Sequence, residues 1–166
     1  MLIIDFETYL IGPGAVIPRP VCLSVQRDQG NPTLIGPPDL VAALPMIVDV
    51  GAQEGIVAHN ASFDLNVAFL HFPELRSAII GLYQSHKVYC TQLAEMLMNL
   101  ADFGSIDTGP EDEPVSGEGE EDSNVKIQYT LAHLVKRYLG MDIFKSKGQD
   151  TWRLKFDTLV NVPLNQ

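Results

Sequence analysis

The chain opens on three aliphatic residues that run into alternating character: Leu2-Ile3-Ile4-Asp5-Phe6-Glu7-Thr8. A period of two predicts a strand with Asp5 and Glu7 on one side and Phe6 on the other. Gly12-Pro13-Gly14, Pro18 and Pro20 then break the chain into a loop. Val21–Gln26 alternates again, Asp28–Pro32 has turn composition, and Thr33-Leu34-Ile35 forms a short third strand. These segments predict an antiparallel meander. Pro37-Pro38-Asp39 starts a helix through about Val50, with Pro45 an awkward interior residue. Gly55–Ala58 reads as a strand. A helix from about Ser62 to His71 follows, with Phe63, Val67 and Leu70 expected on its core face. Lys87–Cys90 is a further strand. Thr91 caps a helix carrying Leu93, Met96, Leu97 and Leu100. After a long polar stretch, Leu131, Leu134, Val135, Tyr138 and Leu139 recur at helical spacing between Thr130 as cap and Gly140 as terminator.

A meander followed by strand–helix alternation predicts one α/β domain with a mixed sheet and helices on its faces. The chain has 166 residues and 46% apolar content, enough for one core. The segment at about 103–124 is rich in Gly, Pro, Ser and acid, and is expected to be a disordered acidic insertion.

Charge changes the picture only once it is located. The net charge is −10, but nine acids and no Lys or Arg lie between Asp102 and Asp122. Without that stretch, 12 acids face 11 bases, and the chain from Val125 onward carries seven bases against three acids. Acidity confined to one segment leaves nucleic acid open as a substrate. Cys22 and Cys90 lack the spacing of a zinc site and suit a reducing compartment. With neither a leader pattern nor a membrane-length apolar run, the expected location is the cytoplasm.

Two carboxylates on one side of a strand repel each other unless a cation binds between them, and an all-oxygen site suits Mg²⁺ or Mn²⁺. Asp64 is a candidate third acid, its other reading being an ordinary capping or dipole residue of a first helical turn. It lies in the first turn of its helix, four residues after Asn60, where the helix dipole is expected to favour the ionised form and both side chains to share one side of the turn.

Ile3-Ile4-Asp5-Phe6-Glu7-Thr8-Tyr9 and Val57-Ala58-His59-Asn60-Ala61-Ser62-Phe63-Asp64 together resemble motifs I and II of the DEDD (DnaQ-like) 3′–5′ exonuclease superfamily. They are most similar to those in the proofreading domain of phage-type family A DNA polymerases. Cys90-Thr91 before a helix, the Thr130–Gly140 helix and Thr151-Trp152-Arg153 are weaker echoes. The resemblance implies an RNase H-like sheet and two Mg²⁺ or Mn²⁺ ions held by Asp5, Glu7 and Asp64. It also implies Thr8, Asn60 and His59 near the substrate, a single-stranded DNA 3′ end as that substrate, and a polymerase module as partner. An RNA-directed exonuclease and an incomplete, non-catalytic nucleic-acid-binding or assembly fold are the alternatives.

The chain departs from the family in one place. The third motif, a Tyr or His followed four residues later by the fourth metal-binding Asp, has one counterpart here, Tyr138 and Asp142. Gly140 between them is expected to end the helix and separate the pair. The domain is therefore expected to be incomplete at its C-terminus.

Overall fold

The computed structural model describes residues 1–10, 14, 16–106 and 129–143. The acidic run from Asp107 onward, Lys126, and the basic segment with Thr151-Trp152-Arg153 lie outside the described residues. The chain divides into two compact units, one built on Met1–Thr91 and the other on Gln92–Lys145.

The first unit is an α/β arrangement around a five-stranded mixed sheet. Its strands are β1 (Leu2–Thr8), β2 (Pro20–Arg27), β3 (Thr33–Ile35), β4 (Ile56–Ala58) and β5 (Val88–Cys90), in the order β3-β2-β1-β4-β5. The first three form the expected antiparallel meander, whereas β1, β4 and β5 run parallel. This topology is compatible with an RNase H-like fold.

Period-two alternation on β1 decides which side chains make the core. Leu2, Ile4 and Phe6 are buried, and Ile3 and Asp5 are exposed. Helices α1 (Pro37–Glu54), α2 (Ala61–His71) and α3 (Arg76–Gln84) contribute Leu40, Leu44, Val48, Leu65, Val67, Ala68, Ile79 and Leu82 to the same cluster. The helices of this unit thus cover the Leu2-Ile4-Phe6 face. On the other face Ile3, Leu34 and Tyr89 are exposed.

Several boundaries differ from the pattern for physical reasons. Helix α1 runs four residues beyond Val50 and accommodates Pro45. Proline removes an N–H that would bond the Val41 carbonyl, but Val41 is exposed and its carbonyl can meet water. Leu70 of α2 is 47% exposed, and the buried stripe is Ala61, Asp64, Leu65, Val67 and Ala68 instead. A 3-10 turn (Pro73–Leu75) and α3 fill a stretch whose Pro73, Ser77 and Gly81 obscured a Leu75, Ile79, Leu82 repeat.

The second unit contains most of α4 (Thr91–Phe103) and α5 (Leu131–Leu139). Thr130 caps α5 by accepting a hydrogen bond from the His133 N–H, and Gly140 ends it in the left-handed region at φ 67°. Both follow the sequence pattern. The packing does not. On α4 the residues turned inward are Glu95 and Asn99, while Leu93, Leu97 and Leu100 are exposed. On α5 only Leu134 is buried. Glu95 accepts hydrogen bonds from Arg137 (2.5 Å) and from the Tyr138 hydroxyl (2.6 Å), and Asn99 donates to the Tyr129 hydroxyl. Polar satisfaction, not leucine burial, joins these two helices.

Candidate metal and nucleic-acid site

The site is built at the C-terminal end of β1. Asp5 and Glu7 leave the strand on the face opposite the core, as the alternation requires. Their cross-strand partners on β2 are Ser24 and Cys22. The ladder shifts register between Glu7 and Thr8, and Thr8 faces Pro20. Such an irregularity re-aims the side chains at a strand end. Thr8 is half-buried there.

Asp64 reaches this strand end from α2. Pairing between β1 and β4 covers only Leu2 and Ile3 on the β1 side. Beyond that point β4 gives way to α2, and the Asp64 carboxylate supplies the acceptor that a longer strand would have supplied. Its Oδ1 accepts the Phe6 N–H at 2.8 Å. Phe6 is the residue between Asp5 and Glu7, so one backbone hydrogen bond fixes Asp64 beside both acids.

Only 2% of the Asp64 surface is exposed. Burial pushes its pKa up to about 7, and the charges of Asp5 and Glu7 push in the same direction. The hydrogen bonds from the N–H groups of Phe6 and Asp64 itself pull it down without offsetting the rise. This corrects the expectation from the helix dipole: desolvation and like charge outweigh the helix N-terminus. Cys22 experiences the same neighbourhood. Its thiol pKa is raised by burial, then by the charges of Glu7 and Asp5.

Asn60 adopts a left-handed conformation (φ 62°, ψ 50°) before α2 and makes no side-chain cap. Its Oδ1 accepts the Ser62 hydroxyl. Asn60 is exposed while Asp64 is buried, so the two do not share a side of the turn as expected. His59 ends the β4 segment, with its Nδ1 3.0 Å from the Thr91 hydroxyl. In the sequence Thr91 stands out only as a helix cap and, with Cys90, as a weaker echo of the family. The sheet register that pairs Ala58 with Cys90 is the signal that brings it to His59.

The structure therefore gathers Asp5, Glu7 and Asp64 at one strand end, with Thr8 next along it and His59 and Asn60 on the loop into α2. Tyr138 and Asp142 do not form a comparable pair. The Tyr138 hydroxyl bonds Glu95, Asp142 pairs with Lys136 at 2.6 Å, and Gly140 ends the helix between them. An apolar cleft of about 150 Å³ between α2 and α3, lined by Leu65, Asn66, Phe69, Ile79, Ile80 and Tyr83, involves none of the candidate site residues.

The donor set fits a hard divalent ion in chemistry, because it is three carboxylates, one desolvated beside two like charges. Among the described residues no group of three or more His, Cys, Asp or Glu side chains is close enough to hold a metal ion. No helix among the described residues is long and apolar enough to cross a membrane. Comparisons with protein-family models, with curated proteins and with solved structures find no match for this chain.

Proposed function

We propose that this chain is a divalent-metal-dependent 3′–5′ exonuclease domain that hydrolyses the terminal phosphodiester of single-stranded DNA, of the kind that proofreads for phage-type family A DNA polymerases. The observation that carries this reading is the Asp64 carboxylate seated on the Phe6 N–H between Asp5 and Glu7. Burial and two neighbouring like charges raise the Asp64 pKa, as at many functional sites, and the sequence around all three acids resembles the two motifs described above.

On this reading Asp5, Glu7 and Asp64 hold two Mg²⁺ or Mn²⁺. When bound, such ions neutralise phosphate charge, lower the pKa of water and stabilise the leaving 3′-oxygen. The chain's own contribution is geometric and electrostatic. The Phe6 N–H holds Asp64 against the strand. Asp64 gives up a proton as cation charge replaces like-charge repulsion. Thr8 and Asn60 border the terminal nucleotide, and His59 flanks it from the β4 end.

Calorimetry with Mn²⁺ tests the reading. The wild type should bind, and Asp5→Ala and Asp64→Asn should each weaken binding at least about ten-fold. Identical isotherms for wild type and Asp5→Ala would sink it. Cleavage of single-stranded DNA by the chain alone should be slow, since Asp142 is paired with Lys136 away from any third-motif geometry.

One observation favours a second reading, an incomplete exonuclease fold that binds nucleic acid without cutting it. Tyr138, the residue that would orient water, is committed to Glu95. Robust Mn²⁺-dependent cleavage abolished by Asp5→Ala would exclude it.

A further inference from the structure

The sheet register places a residue at this strand end that the motifs do not include. In β4 and β5, Ile56 faces Val88, Val57 faces Tyr89 and Ala58 faces Cys90. His59 and Thr91 directly follow these two strands and form a short row at their C-terminal ends. In β1 and β4, Leu2 faces Ile56 and Ile3 faces Val57. Asp5, two residues beyond Ile3, lies toward the same end of the parallel strands. Ligands of open α/β sheets gather beyond that end.

Within the row, the Thr91 hydroxyl lies 3.0 Å from His59 Nδ1. Both backbones are fixed at this point. Asn60 in its left-handed conformation turns the chain sharply after His59, and Thr91 is the first residue of α4. A β-branched side chain at a helix start has few rotamers, so its hydroxyl has a defined direction. The β4–β5 ladder already joins the two strands, and an exposed side-chain hydrogen bond adds only about 0.5–1.5 kcal/mol to stability. Fixing the imidazole is the effect of this bond that the ladder does not duplicate.

We infer that Thr91 is a positioning residue for His59: its hydroxyl holds Nδ1 and sets the ring rotamer in which the imidazole, at the same sheet end as Asp5, contacts the 3′-terminal segment of a single DNA strand. The identity of the ligand rests on the exonuclease reading; the coupling of Thr91 to His59 does not.

The test uses the full chain in two arms. The first records the ¹⁵N signals of the His59 ring in wild type, Thr91→Val and Thr91→Ser. The second measures fluorescence anisotropy of a 5′-fluorescein-labelled oligothymidylate eight nucleotides long, with Ca²⁺ in place of Mg²⁺. Thr91→Val should shift the His59 Nδ1 signal and weaken oligonucleotide binding about ten-fold, the loss of one oriented contact. Thr91→Ser should restore both to within about two-fold of wild type. In a His59→Ala background, Thr91→Val should add no further loss. An unchanged Nδ1 signal in Thr91→Val, or an equal loss with and without His59, overturns the positioning role. A wild type that binds no oligonucleotide while Thr91→Val still moves the Nδ1 signal overturns the nucleic-acid reading and leaves the coupling standing.

Discussion

Among the described residues each unit buries one carboxylate, Asp64 in the sheet unit and Glu95 in the helical unit, at 2% and 4% exposure. Glu95 is enclosed with its own counter-ion: Arg137 and the Tyr138 hydroxyl both donate to it. Asp64 is enclosed with a backbone N–H and faces the charges of two further acids. The same type of group at the same depth thus has opposite surroundings. A buried acid that brings its own cation completes a structure. One desolvated beside two like charges has its pKa pushed up instead, and strongly shifted groups of that kind cluster at functional sites.

The comparison breaks most readily at Glu95. Glu95→Ala leaves Arg137 partly buried without its acid and removes the acceptor of the Tyr138 hydroxyl. The expected loss is about 3 kcal/mol, read by urea denaturation and by faster amide exchange along α5. A cost below about 0.5 kcal/mol would mean that the pair is ornamental.

Asp64 should behave in the opposite way. Its folded pKa of about 7 lies above the ordinary value of 3.8, so the folded chain binds the extra proton between those two pH values. This group's contribution to stability is therefore present below about pH 4. It is lost as pH rises through 7, by on the order of 2–4 kcal/mol across the window. Asp64→Asn keeps an acceptor for the Phe6 N–H and removes the charge. Without divalent ions it should be more stable than wild type at pH 8, by about 1–2 kcal/mol, and the difference should vanish near pH 4. Thermal melts at the two pH values measure this. On the proposed reading, millimolar Mg²⁺ at pH 8 removes the difference by stabilising wild type alone.

The smallest effect concerns the leucines of α4. Leu97 is 56% exposed, so Leu97→Ala should change stability by less than about 0.5 kcal/mol. A loss of 2 kcal/mol or more would show that this stripe is the buried one after all, and that Glu95 plays no central part.

The same contrast explains which features were legible. Period two on Leu2–Thr8 sorts core from site, because a strand has only two sides; β1 and β3 fall where the alternation puts them. Glycine at 140 ends a helix by its own backbone freedom, and it does so here. By contrast, Leu93, Leu97 and Leu100 define a stripe on α4, but a stripe carries no instruction about which way it turns. Glu95, Asn99, Arg137 and Tyr138 are scattered along the chain, and their mutual satisfaction appears only once α4 and α5 meet. Depth is equally illegible. The position of Asp64 in a first helical turn suggested an ionised acid, and only the packing of α2 on β1 reveals that burial dominates. The grouping of Asp5, Glu7 and Asp64 was readable from motif spacing, whereas the His59–Thr91 contact needed the strand register.

The bond between the Phe6 N–H and Asp64 also has a consequence in time. It joins residues 58 apart in the chain, across the meander, α1 and the crossover to α2. Contacts that close so long a loop come after local hairpins and helices have formed. Asp64 therefore joins Asp5 and Glu7 only when α2 docks on β1. Its repulsion from them weighs on that docking step and not on the local pairing of β1 with β2.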